Sequence, residues 1–166
     1  MVNRDRVEQS LRCEAQTRRN TRCRNRTRRS NMCQPHLIKF KNLNIRDSRI
    51  NGAGLGLYTG NKPIPRNRII NEYTGVESKA PINGNYVLEV HKKKFINANR
   101  STDIGGYCND CRSCNRRNGE CTGNNAKFSF DRRNNKVNVV SSKRIPPRSE
   151  IYVPYGRDYW RSNKSI

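Results

Sequence analysis

The sequence predicts a mostly β domain from about Lys41 to Trp160. A small metal-stapled module (1–40) precedes it, and a short basic tail (161–166) follows. Three observations predict this. From Leu43 to Trp160, Gly, Tyr, Ile and Val recur with strand-like spacing, broken by turn residues. The first forty residues are nearly all polar or basic, yet they set out Cys13, Cys23, Cys33 and His36 as C-x9-C-x9-C-x2-H. Hydrophobic residues are only 32% of the 166-residue chain, so the core is modest and a bound metal would help to close the fold.

The charge balance narrows the partners. Lys and Arg number 35 against 13 Asp and Glu, a net charge of +22, which points to nucleic acid, an anionic surface or an acidic partner and says nothing about fold. Such a composition also suits a disordered basic chain, but the recurring strand pattern argues against that beyond Leu43. The cysteine count, seven, is odd, and no apolar run near the start could serve as a signal peptide. Thiols or zinc ligands in a reducing compartment are therefore expected, and a soluble, intracellular, non-secreted protein. No run approaches the roughly 18 apolar residues of a membrane-spanning helix, so no membrane partner is expected.

The basic module cannot fold by apolar burial alone. Three thiolates and one imidazole make a complete tetrahedral zinc set with no position left for a substrate water, so a structural zinc on Cys13, Cys23, Cys33 and His36 is expected. The alternative is a disordered arm whose cysteines are incidental. Arg18, Arg19, Arg22, Arg24, Arg26, Arg28 and Arg29 lie between the ligands, on loops suited to salt-sensitive, sequence-tolerant contacts with nucleic-acid phosphates. A solvated charged face is the alternative. No aromatic residue precedes Phe40, so base stacking is not indicated.

Along the main domain, LNIRDSRINGAGLGLY (Leu43–Tyr58) reads as strand, turn, strand, with Gly52, Gly54 and Gly56 at every second position. Glycines there let backbone approach a ligand closely. No helical pattern follows, so this is not a dinucleotide-binding fingerprint. Lys62–Arg68 is a proline-bearing connector, followed by IINEYTGVE. Asn85–Val90 and Lys94–Ala98 alternate as two antiparallel strands around the basic turn 91–93. Lys127–Phe130 and Val137–Val140 form another pair across the turn Asp131–Asn135. Between these pairs lies GYCNDC, then an insertion, then Asn125 in NAKF; the chain closes with VPYGRDYW. Cys108, Cys111, Cys114 and Cys121, spaced C-x2-C-x2-C-x6-C, raise a second zinc site as the lesser reading.

GAGLGLY, YCNDC, NAKF and VPYGRDYW, in that order, resemble the SET domain of protein lysine methyltransferases, and EYTG resembles that family's E-Y-x-G. The resemblance implies a β-clip, pseudoknot-like fold and one S-adenosylmethionine site. It assigns Tyr155 and Tyr73 to catalysis; Gly54, Leu55, Gly56, Tyr86, Tyr107, Asn109, Asp110 and Tyr159 to the cofactor; and Phe128 and Val153 to the substrate channel. Asp110 stands where the family has His, the largest departure in the chain. Asn97, Arg148 and Ser149 also depart, and Glu150 is implied to be structural. Neither Phe128 nor Val153 carries a hydroxyl, which implies that more than one methyl group can be added. The N-terminal Cys/His segment is similar to a short module, CxA-x-T-x5-C ending CxxH, that recurs in proteins of large DNA viruses. That similarity implies a viral origin and location in a host nucleus or virion.

The function expected is methyl transfer to lysines of histones or other chromatin proteins, with the basic module tethering the enzyme to nucleic acid. The rival is a SET-fold protein that binds or packages nucleic acid without catalysis.

Overall fold

The computed structural model describes residues 10–80, 86–91, 94–98, 104–113 and 121–162. Strand β1 (Leu11–Arg12) pairs antiparallel with β2 (Arg26–Thr27), and helix α1 (Gln34–Lys41) follows. Next come β3 (Leu43–Asp47), β4 (Leu55–Thr59), β5 (Ile69–Glu72), β6 (Val76–Ser78), β7 (Val87–His91), β8 (Lys94–Asn97), β9 (Ala126–Asp131), β10 (Lys136–Ser141) and helix α2 (Arg157–Ser162). The strands form small antiparallel sheets, β3-β4, β5-β10-β9 and β6-β8-β7, as the alternation predicts.

The β3-β4 hairpin runs from Leu43↔Thr59 to Asp47↔Leu55, and its turn places Gly52 and Gly54 at φ 77° and 72°, a region that favours glycine. Leu43, Ile45 and Leu57 from this hairpin bury against Val139, Ile145, Ile151 and Val153 to form the main core. A second cluster, Tyr73, Ile96, Ala98 and Val137, lies at the β6-β8-β7 sheet.

The N-terminal segment is folded from Ser10 onward. Cys13 N donates to Asn25 O (2.9 Å) and Cys23 N to Ala15 O (2.8 Å), while Pro35 sits in the first turn of α1. Asn42 ends α1 in the left-handed region and returns its N–H to Ile38 O. This helix crosses the boundary expected at residue 40 and contributes Leu37 to the main core, so module and domain share packing.

Residues 149–153 thread between distant parts of the chain. Thr59 N donates to Ser149 O and Ile151 N to Leu57 O on one side; Val153 N donates to Asn109 O and Ala126 N to Tyr152 O on the other. Among the described residues no helix is long and apolar enough to cross a membrane.

Candidate functional site

The ligand atoms of Cys13, Cys23, Cys33 and His36 lie within 4.8 Å of one another. His36 Nδ1 is 3.5 Å from Cys13 Sγ and 3.3 Å from Cys33 Sγ. Zinc bonds of about 2.3 Å to sulfur and about 2.0 Å to nitrogen give tetrahedral edges of about 3.5–3.8 Å, so the set fits the ion. Backbone N–H groups of Cys33 and Asn25 point at the sulfurs of Cys13 (3.2 Å) and Cys23 (3.4 Å), which suits thiolates. C-x2-H brings its two ligands together through the first turn of α1, whereas the nine-residue gaps close through the β1-β2 pairing.

The second cysteine group is different. Cys121 is disulfide-bonded, contrary to the expectation of thiols or zinc ligands throughout. Cys108 and Cys111 are buried free thiols, and Cys114 lies outside the described residues. Cys111 packs with Ile50 and Tyr152, and its sulfur accepts the Gly123 N–H (3.1 Å). Among the described residues only the N-terminal set forms a metal-ligand cluster.

Two buried carboxylates organise the C-terminal threading. Glu150 accepts from Ser48 Oγ (2.7 Å), Arg49 N (2.9 Å), Tyr58 OH (2.8 Å), Tyr152 OH (2.9 Å) and Asn109 Nδ2 (3.0 Å). Gly56 exists to admit this carboxylate, since a Cβ there would overlap Glu150 Oε1. Burial and Glu150 together raise the Tyr58 and Tyr152 phenols above their ordinary range. Asp110 Oδ1 accepts from Arg112 N (2.9 Å) and Asn124 Nδ2 (3.1 Å), and Oδ2 accepts from Tyr155 N (2.9 Å) and Trp160 Nε1 (2.9 Å). The departure from His thus has a physical account, because an imidazole cannot accept four hydrogen bonds. Asn125 acts as a strand surrogate, with Nδ2 donating to Glu150 O (2.8 Å) and Oδ1 accepting from Tyr152 N (2.9 Å).

Beside this clamp lies a cavity of about 30 Å³ walled by Tyr73, Tyr86, Gly106, Phe128, Tyr155 and Tyr159, with Val87, Leu88 and Cys108 completing it. That volume holds about two water-sized groups, and among the described residues no charged side chain borders it despite the +22 charge of the chain. Tyr155 OH donates to Cys108 O (2.9 Å), and Tyr73 OH donates to Tyr86 O (2.7 Å). Both phenols therefore offer oxygen lone pairs rather than a proton. Burial, with Tyr159, Cys108, Tyr73 and Tyr86 around it, raises the pKa of Tyr155 well above the ordinary 10, so the phenol is neutral at physiological pH. Tyr155 meets Tyr159 edge-on at 4.7 Å, and Trp160 stacks at 6.3 Å from Tyr155. Phe128 meets Tyr73 edge-on at 5.2 Å.

The structure brings Tyr73, Tyr86, Phe128, Tyr155 and Tyr159 together at one cavity. Asn109 and Asp110 adjoin it through Tyr155, and Asn109 Nδ2 also reaches Leu55 O (3.1 Å), tying the Gly54–Gly56 turn to the same place. Two expected positions lie elsewhere. Tyr107 and Val153 are buried in the main core, and neither borders the cavity. Tyr107 ends a 3₁₀ turn (Gly105–Tyr107), so a strand alternation does not apply there, and Gly106 and Cys108 face the cavity instead. Sequence reasoning missed Gly106, Val87, Leu88 and the Cys108 carbonyl; a backbone acceptor leaves no mark in a sequence.

No protein-family model and no curated protein matches the chain. Among solved structures, the methyltransferase domain of human PR domain-containing protein 2 matches with a TM-score of 0.53, at 19% sequence identity, over 74% of this chain and 84% of that chain. At that identity the likeness is one of fold, and the chain has the mostly β fold of a SET-type methyltransferase domain.

Proposed function

We propose that the chain is an S-adenosylmethionine-dependent protein lysine methyltransferase acting on histones or another chromatin-associated protein. The observation that carries this reading is the narrow, uncharged cavity walled by Tyr73, Tyr86, Phe128, Tyr155 and Tyr159, on a fold similar to a methyltransferase domain. It suits the terminal carbons and amine of a lysine and is far too small for a peptide. Its electron-rich rings also suit a sulfonium cation. The Gly54–Gly56 turn, the backbone around Asn109 and Asp110, and Tyr159 would hold the cofactor. Tyr86 would border its methyl end, and Tyr107 would support it from the core.

When bound, the cofactor would supply an electrophilic methyl group to the lysine Nζ lone pair, with the C–S electron pair left on sulfur. The rest falls to the protein. A lysine ammonium has an ordinary pKa of about 10.4, and burial in a narrow cavity favours its neutral form by desolvation. The proton leaves to solvent. Tyr155, fixed by Cys108 O and by the Asp110 bond to its N–H, aligns the reacting groups; Tyr73, fixed by Tyr86 O, forms the opposite wall. Rigid rings with committed protons orient the partners and exclude water, which is most of what an in-line displacement requires.

Calorimetric titration of the zinc-loaded protein with S-adenosylmethionine tests the reading. One site per chain, with competition by S-adenosylhomocysteine, is expected. No binding, together with no transfer to histones, would favour a non-catalytic SET-fold protein.

A further inference from the structure

The described arginines of the N-terminal module fall into two classes that the sequence does not separate. Arg12 donates to Cys23 O (3.0 Å) and Arg22 O (3.0 Å), and Arg22 donates to Cys13 O (3.1 Å) and Arg12 O (2.9 Å). Arg26 donates to Ser10 Oγ (2.8 Å) and Ser10 O (2.5 Å). These three guanidinium groups hold the module together. Arg18, Arg19, Arg24, Arg28 and Arg29 are exposed, and among the described residues their side chains make no hydrogen bond or ion pair. Glu14, the sole described acid of the module, is bonded to Asn31, and both described ion pairs lie in the main domain.

The unengaged arginines are rigidly displayed. Arg18 and Arg19 sit in a turn closed by Thr17 N to Thr21 O (2.8 Å) and by the paired Thr17 and Thr21 hydroxyls (2.9 Å). Arg28 and Arg29 sit between Thr27, whose hydroxyl accepts the Arg29 N–H, and Ser30, whose hydroxyl bonds Met32. They border a groove of about 240 Å³ that runs from this loop to Leu37 and Ile45.

We propose that Arg18, Arg19, Arg24, Arg28 and Arg29 form a phosphate-binding surface for double-stranded nucleic acid, with Arg28 and Arg29 gripping the backbone at the groove. The chemistry favours this partner. Every described cation between the zinc ligands is arginine, whose planar fork matches phosphate oxygens two at a time. No Phe, Tyr or Trp lies between the zinc ligands to stack on unpaired bases, and the module's one such ring is Phe40, exposed near the end of α1, which favours a duplex over a single strand. Among the described residues of the module only Leu11 and Phe40 are exposed large apolar side chains, too few for the apolar face that a membrane surface requires. The surface stands on the module's geometry and does not depend on the methyltransferase reading. If both hold, it offsets the repulsion between a +22 chain and a basic protein substrate by holding both on one duplex.

The test is fluorescence anisotropy of the full zinc-loaded chain with a labelled mixed-sequence DNA duplex between 50 and 200 mM salt. Five contacts predict a slope of log K against log salt of about −4.5. Arg28→Ala/Arg29→Ala should flatten the slope by about 1.8 and weaken binding at 100 mM salt on the order of 50-fold. Arg18→Ala/Arg19→Ala, at the other end of the module, should do the same, so a folding defect in one variant does not decide the matter; zinc content is measured in each. Lys143→Ala/Arg144→Ala, exposed in the main domain, should leave the slope unchanged. The proposal is overturned if both arginine pairs leave the slope unchanged, or if the Lys143/Arg144 pair flattens it equally. Tighter binding to phosphatidylserine vesicles or to an acidic protein than to the duplex would also overturn it.

Discussion

Replacing Asp110 by Asn, or by the His that SET domains carry at the resembling position, should destabilise this protein. The buried carboxylate accepts from Arg112 N, Asn124 Nδ2, Tyr155 N and Trp160 Nε1, two donors on each oxygen. In Asp110→Asn the amide places an NH2 against two N–H donors whichever way it turns, so two acceptor bonds are lost. Hydrogen bonds to a charged group contribute about 1.5–3 kcal/mol each; because the Arg112 and Asn124 donors are near solvent, the lower end applies, giving about 3 kcal/mol. For a domain of this size that is a fall in Tm of about 6–12 °C. Asp110→His, with at most one acceptor nitrogen, should cost at least as much. Thermal unfolding followed by circular dichroism at neutral pH, with zinc present, measures both. Asp47→Asn, an exposed position with the same charge change, serves as control and should stay within about 0.5 kcal/mol. If Asn or His at 110 falls within about 1 kcal/mol of the parent, the four-way clamp is not what holds the C-terminal segment.

Other outcomes follow from the same geometry. Chelation should remove one zinc per chain and unfold the N-terminal module, and Cys23→Ser should abolish zinc uptake whereas Cys108→Ser leaves it intact; metal analysis by mass spectrometry reads both. Four of the seven tyrosines, Tyr58, Tyr152, Tyr155 and Tyr159, have raised pKa values, with burial the first cause for each. A raised folded-state pKa contributes stability that is intact below the unfolded value, about pH 10, and is lost as pH rises beyond it. Absorbance titration at 295 nm should therefore show these phenols ionising late, with alkaline unfolding; four ordinary midpoints near 10 would contradict the burial. Reaction to exhaustion should yield lysine bearing more than one methyl group, since Phe128 brings no hydroxyl to the cavity; monomethyl product alone, read by mass spectrometry, would contradict this.

The hairpins were legible because they are local. Leu43, Ile45 and Leu57 alternate in the sequence and lie buried along β3 and β4, and β9 and β10 pair across the turn that separates them. The Cys/His cluster was legible because ligand chemistry is sparse in a chain otherwise poor in acids near its start. What the sequence hid are meetings between its ends. Gly56 reads as room for a ligand, but the space belongs to Glu150, which arrives with the C-terminal segment. Asp110 reads as a departure until Tyr155 and Trp160 are seen to close on it. Motif position assigns Tyr107 to the cofactor and Val153 to the channel; a 3₁₀ turn and a backbone bond to Asn109 O bury their side chains in the main core, a placement the motifs do not reveal. The split among the module's arginines is likewise invisible, since Arg22 and Arg24 differ only in what their guanidinium groups reach.

The proposed reaction is methyl transfer to lysine at the Tyr155 cavity. Incubation with tritiated S-adenosylmethionine, nucleosomes and free histones, followed by identification of the labelled amino acid, tests it most directly. Label is expected on lysine, reduced on the order of 100-fold or more in Tyr155→Phe while calorimetric cofactor affinity changes little. No label on lysine, or label undiminished in Tyr155→Phe, would contradict it.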